Sequence, residues 1–339
     1  MNIRDMHRCI EDNLATRLAA QVALVGGGGA TGHTDGTVAG RESVQGMPMQ
    51  PGQAGQPEES VLPDGLALPG RPPLSDRPAL LDRQDVRAVY AGVASDTFNK
   101  AFGYQGGVPL ADTVAAVRSF FGQHGAPYTW WLGPLSGAGD GAGQGDDIPA
   151  ALATHGFAVG EVETGMYLSL TDAELDEPVP TPGLDIRVVR DAAGVADFAS
   201  VLAANWSPPD GEVLRFYRRA AAALCSPGSA RSPGCPATLL VAYLDGQLAA
   251  AAEVYHTASG HPAAGGTAAL DVAGVYNVCT LWGFRRRGLG TAVTRAALQH
   301  ARQVGCRHAV LQASGEGYRV YARLGFCDVG RFVECVPVD

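Results

Sequence analysis

Among the seven cysteines, Cys9, Cys225, Cys235, Cys279, Cys306, Cys327 and Cys335, there is no CxxC pair and no Cys/His spacing suited to a metal. That argues against a structural zinc site and for a reduced, cytoplasmic chain. A basic excess is also lacking. The chain has 25 Lys and Arg against 34 Asp and Glu, a formal charge of −9, so long-range attraction to nucleic acid or an anionic membrane is not expected. No uninterrupted apolar run approaches the roughly 20 residues that a membrane span needs. The first residues, MNIRDMHRCIEDNLATRLAAQVALVGGGG, carry acids among the apolar positions, so neither a secretory leader nor a membrane anchor is expected.

A chain of 339 residues with 46% hydrophobic content suits two cores of ordinary size. Ile10, Leu14, Leu18 and Val22 recur at helical spacing, and Gly26 to Gly29 end the pattern, which predicts one amphipathic helix within residues 1–25. Residues 26–78 are rich in Gly, Pro, Gln and Ser and read as irregular. A first folded unit is expected over 79–172: a strand at Val86 to Gly92, a helix at Ala111 to His124, a strand at Tyr128 to Leu132, a glycine-rich loop and a short helix from Ile148. The acidic, Pro-rich linker at 173–183 leads to a second unit over 184–339. Its elements are a strand at Leu184, helices at Ala192 to Ala203 and Glu212 to Leu224, an Asp245-Gly246 hairpin, a strand at Gly274 to Leu281, a helix from Leu289, a strand at His308 to Gln312, a helix to Leu324 and terminal strands around Phe326 and Phe332 to Val336. Strands interleaved with helices indicate an α/β or α+β fold. One echo links the units: Leu152-Ala-Thr-His-Gly156-Phe157 parallels Tyr321-Ala-Arg-Leu-Gly325-Phe326.

The chemistry concentrates where a strand runs into Arg285-Arg286-Arg287-Gly288-Leu289-Gly290-Thr291. Glycines let backbone approach a ligand, a helix N-terminus offers free N–H groups and partial positive charge, and three arginines add charge for a polyphosphate. The bland alternative is a basic turn that starts a surface helix. A Rossmann reading of this segment needs GxGxxG and an acid on a following strand, and neither is present here. Glu253 sits on an apolar strand and is a candidate base, with His256 as an alternative; Asn277 is a candidate for orienting substrate. Cys279 has no His-Asp partner spaced to activate it, which argues against a nucleophile.

Arg285-x-x-Gly288-x-Gly290, followed by Tyr321-Ala-Arg-Leu-Gly325-Phe326, resembles the paired R/Q-x-x-G-x-G/A and Y-x-x-x-G-F motifs of the GNAT acetyltransferases. The resemblance covers about Leu184 to Asp339, with Gly283 standing where many members carry proline. It implies two GNAT-like domains, each a mixed, mostly antiparallel sheet flanked by helices, the first of them degenerate. It also implies acetyl-CoA as co-substrate without a metal, its pyrophosphate on the amides from Arg286 to Thr291 and its pantetheine along Cys279, Thr280 and Leu281. Ser314, Gln312 and Tyr318 are further contacts to that arm, and Tyr321 is the proton donor for the leaving thiolate. The reaction expected is direct acyl transfer to the amine of a small molecule. Two rivals are an aminoacyl-tRNA-dependent transferase, which needs a basic patch found only at Arg215 to Arg219 and Arg285 to Arg287, and a non-catalytic acyl-CoA-binding module.

Overall fold

A computed structural model describes residues 1–26, 76–137, 147–175, 181–225, 237–258 and 270–338. Nearly all of the expected irregular segment, much of the glycine-rich loop and half of the linker lie outside these residues. The N-terminal periodicity becomes helix α1 (Ile3–Gly26), longer than the pattern implied. Ile10, Leu14 and Leu18 form its buried apolar stripe. The neighbouring stripe of Asn13, Arg17 and Gln21 is buried as well, so α1 is enclosed on two faces instead of resting on a surface.

The first half continues with β1 (Ala79–Asp82), β2 (Arg87–Tyr90), β3 (Lys100–Phe102), α2 (Leu110–His124), β4 (Thr129–Leu132), α3 (Ile148–Ala153) and β5 (Phe157–Ser169). The second half comprises β6 (Leu184–Val188), α4 (Ala192–Ala203), α5 (Gly211–Leu224), β7 (Ala237–Leu244), β8 (Gln247–Ala258), β9 (Leu270–Thr280), α6 (Leu289–Gln303), β10 (His308–Ala313), α7 (Tyr318–Arg323) and β11 (Cys327–Pro337). Helices α4 and α5 start where the carboxylates of Asp191 and Asp210 accept from first-turn amides, Gly194 N–H at 2.8 Å and Glu212 N–H at 2.8 Å. The two expected terminal strands are one, β11, interrupted by register shifts.

The eleven strands of the described residues join a single sheet in the order β1-β2-β3-β4-β11-β5-β10-β9-β8-β7-β6. Only β3–β4 and β9–β10 are parallel; the other neighbours run antiparallel. This is the mixed, mostly antiparallel sheet with flanking helices that was expected, but the two halves share it. They also share a plan: β2-β3-α2-β4-α3-β5 matches β8-β9-α6-β10-α7-β11 in order and in strand direction. Each half inserts its last strand between the last two of the other, β11 between β4 and β5, and β5 between β10 and β11. The turn into each exchanged strand is a left-handed glycine, Gly156 at φ 75° and Gly325 at φ 94°. Helix α1 packs across the join, its apolar stripe sharing one core with Val89 of β2, Tyr167 of β5, Phe216 of α5 and Phe332 of β11.

Candidate active site

The ladder between β9 and β10 ends at Gly274 and Val310. Beyond it, β9 stays paired only with β8, Cys279 opposite Ala251 and Thr280 opposite Ala250, so one backbone edge is left free toward β10. The departure begins at a bulge where Asn277 adopts φ 51°. Asparagine tolerates this left-handed region better than most residues. Its amide fixes the bend by donating to Glu253 Oε2 at 2.7 Å and Tyr217 Oη at 3.0 Å.

The gap between the strands is a cavity of about 600 Å³. Val278, Cys279 and Thr280 form one wall, Ser314 and Tyr321 the other, and the start of α6 closes the end. Gly288 is the N-cap of α6 with φ 80°, and no side chain caps the helix, so its first-turn amides remain available. At Gly290 an added β-carbon would meet Thr280 Oγ1 at 3.6 Å, an ordinary contact. Arg285 donates through Nε to the Thr280 carbonyl at 3.2 Å, and its guanidinium lies over Trp282 at 4.9 Å. Arg286 lines the cavity with φ 62°.

Of the residues expected here, Cys279, Thr280, Arg285, Arg286, Gly288, Leu289, Gly290, Thr291 and Ser314 line this cavity. Three do not. Leu281 packs against the core, Arg287 stacks over Phe284 at 5.6 Å, and the Tyr318 hydroxyl donates to Asp328 at 3.2 Å.

Tyr321 lines this cavity and a second one of about 550 Å³ behind it. Its ring lies against Gly317 and meets Phe326 edge-on at 6.1 Å. Burial pushes its phenol up, with Cys279 and Glu163 adding to the effect, so it stays a protonated donor. Leu14, Arg17 and Leu18 of α1 roof the second cavity, and the first half supplies a wall of Asp96, Lys100, Trp131, Glu161 and Glu163.

Glu253 does not face that cavity as a free base. Arg17 Nε and Nη2 donate to its two oxygens at 2.8 and 2.9 Å, and Tyr217 Oη donates at 3.2 Å. Burial would raise its pKa, but Arg17 and these hydrogen bonds hold it below the usual carboxylate range. His256 lies elsewhere, between Cys306 Sγ and Thr238 Oγ1 at 3.4 Å each, and burial pushes it down to about 4. Burial pushes Cys279 up to about 11, even though Asn205 Nδ2 donates to its sulfur at 2.9 Å. Its thiolate is therefore scarce at neutral pH. Trp130 is core, donating to the Gly103 carbonyl at 2.9 Å, whereas Trp131 faces the cleft under Lys100. Arg17, Lys100 and Glu163 were not singled out in the sequence. The one local signal was an arginine on the helical stripe that also carries Asn13 and Gln21.

Residues 201–326 match the family model of the acetyltransferase (GNAT) family. This part of the chain is a GNAT domain. It holds both expected motifs, the α6 N-terminus, Tyr321 and the opened strand pair. A GCN5-related N-acetyltransferase from Kribbella flavida superposes with a TM-score of 0.53 at 20% identity, over 76% of this chain and 89% of that one. A functionally unknown conserved protein from Staphylococcus epidermidis superposes with a TM-score of 0.50 at 14% identity, over 73% and 87%. At such identity the likeness is one of fold, and it extends well beyond the GNAT domain. No curated protein sequence matches this chain. Among the described residues no group of His, Cys, Asp and Glu is placed to hold a metal, and no helix is long and apolar enough to cross a membrane.

Proposed function

We propose that the protein transfers an acyl group from acetyl-CoA to the amine of a small molecule by direct attack in a ternary complex. The observation that carries this reading is the continuity of the two cavities: one runs from the uncapped α6 N-terminus along the free edge of β9 to Tyr321, and the other begins there. A pyrophosphate fits the first-turn amides from Leu289 to Thr291 beside Arg285 and Arg286, where the helix dipole and two cations oppose its charge. Pantetheine, with its own amides, complements the β9 backbone that β10 leaves unpaired. That places the thioester near Tyr321, whose buried, protonated phenol is suited to give its proton to the departing thiolate. Gln312 lines the acceptor side, and its buried Nε2 has no hydrogen-bond partner among the described residues. Asp96 and Glu161, exposed at that cavity, favour a cationic acceptor.

The first half, over 79–172, reads as a copy of the second that has lost its own site. Where β9 and β10 part, β3 and β4 stay paired to their ends, with Gly103 N–H donating to the Trp131 carbonyl at 2.8 Å. Leu152, fully buried, stands in the place of Tyr321. We assign the whole chain to the cytoplasm on its cysteine usage.

Calorimetric titration with acetyl-CoA tests the reading. Binding is expected for the intact protein and roughly ten- to hundred-fold weaker binding for Arg285→Ala/Arg286→Ala, given the worth of hydrogen bonds to charged groups. Tyr321→Phe is expected to keep binding and to slow amine-dependent thiol release about a hundred-fold or more. No binding by the intact protein would sink the proposal.

A further inference from the structure

With Glu253 locked to Arg17 and His256 buried elsewhere, the cleft needs another group to take the proton of the attacking amine. We propose that Glu163, brought into the cleft on the strand donated by the first half, is that base. The inference rests on the acyl-transfer reading of the same site.

Register puts it there. On β5, Thr164 pairs with Ala313 and Gly165 with Gln312 of β10, while Glu163 itself pairs with Phe332 of β11. Strand alternation sets Glu163 on the face of Gly165 and Gln312. That face carries α1 over Gly165, where an added β-carbon would meet Ile10 Cδ1 at 3.3 Å, and just beyond the helix Glu163 enters the acceptor cavity. Across the cavity stand Tyr321 and the Asn277 bulge. Of the carboxylates there, Glu334 is engaged by Trp131 Nε1 at 3.0 Å and Lys100 at 3.7 Å, and Asp96 and Glu161 lie exposed. Glu163 is half-buried, and no hydrogen bond among the described residues holds its oxygens.

The groups facing it pull both ways. Burial dominates and, with Glu161 on its own strand and Glu334 of β11, pushes its carboxyl up; Lys100 of β3 pulls it down, and the balance lies at about 7. Tyr321 on α7 stays neutral, and the positive charge of Arg17 on α1 is spent on Glu253. A carboxylate so tuned is ionised above neutrality and still basic enough to accept a proton.

The protons balance. The ammonium nitrogen loses two on becoming an amide. Glu163 takes the first and passes it to solvent, which frees the lone pair to form the N–C bond. As the tetrahedral intermediate collapses and the C–S bond breaks, Tyr321 protonates the thiolate, and the second nitrogen proton restores the phenol.

The test pairs two readouts: calorimetry with acetyl-CoA, and thiol release with putrescine, spermidine, tyramine and glucosamine, the best acceptor being carried into the variants. Glu163→Gln is expected to lower kcat about a hundred-fold or more, as loss of a general base does. It should also abolish the rise of kcat/KM through about pH 7 while leaving acetyl-CoA affinity unchanged. Glu163→Asp should keep the pH-dependent rise at a reduced rate, which separates chemistry from misfolding. A Glu163→Gln protein that keeps kcat and the rise, or that loses only KM, overturns the assignment while acyl transfer stands. Intact protein that binds acetyl-CoA but releases no thiol with any of these amines overturns the assignment, and protein that does neither overturns acyl transfer as well.

Discussion

At Gly290 the space for a β-carbon is open toward the cavity, its nearest neighbour being Thr280 Oγ1 at 3.6 Å. Gly290→Ala therefore creates no clash within the protein, and inside α6 alanine is favoured over glycine by roughly 1 kcal/mol. What the added methyl occupies is the approach of a ligand to the amides of the first turn. Thermal melting of Gly290→Ala is expected to match or exceed that of the parent, while calorimetry shows acetyl-CoA binding weakened roughly ten-fold or more, about 1.4 kcal/mol or more. Equal binding in both proteins would mean that no ligand comes close to that backbone.

The decisive contact of helix α1 is its bidentate pair with Glu253, made by an arginine whose side chain is 11% exposed and which also lies over Tyr276 at 4.4 Å. Removing one partner leaves an uncompensated buried charge, a loss of about 3–5 kcal/mol. Urea unfolding of Glu253→Ala should show a loss of that order, and Arg17→Met/Glu253→Leu should recover much of it. A double variant as unstable as the single one would contradict this account. Most helices and strands of the second half were legible because local chemistry and tertiary packing agree there, as at α4, with its aspartate cap and apolar face. Strand β3 has three residues, too few for a period to show. The full length of β5 does not show in the sequence because Gly160 and Gly165 interrupt its pattern; Gly165 is glycine because Phe332 and Ile10 crowd the sheet at that point. Glu253 was correctly placed on a strand, but its partner lies 236 positions away, beyond any local pattern. Glu163 was hidden for the same reason: the strand that carries it does its work in the other half.

For the whole molecule, the exchange of β5 and β11 means that neither half contains a finished sheet. Without β5, the second half would present β10 and β11 as separate unpaired edges, the condition that leads strands to aggregate. Residues 181–339 expressed alone are therefore expected to be insoluble or unfolded, and co-expression with residues 1–175 should restore a soluble complex, read by size-exclusion chromatography and circular dichroism. A well-folded isolated second half would show that the exchange is dispensable.

The same arrangement orders events during synthesis. The early half leaves the ribosome with a strand-wide slot between β4 and β5 that β11 fills, and β11 is the last of these eleven strands in chain order. Until β10 and then β11 emerge, β5 lacks its two neighbours in the sheet, and the cleft it borders is not assembled. From the synthesis of β5 (Phe157–Ser169) until β10 (His308–Ala313) and β11 follow, the central strand is unpaired, so its exposure to chaperones and proteases is governed by the time translation takes to cross the second half.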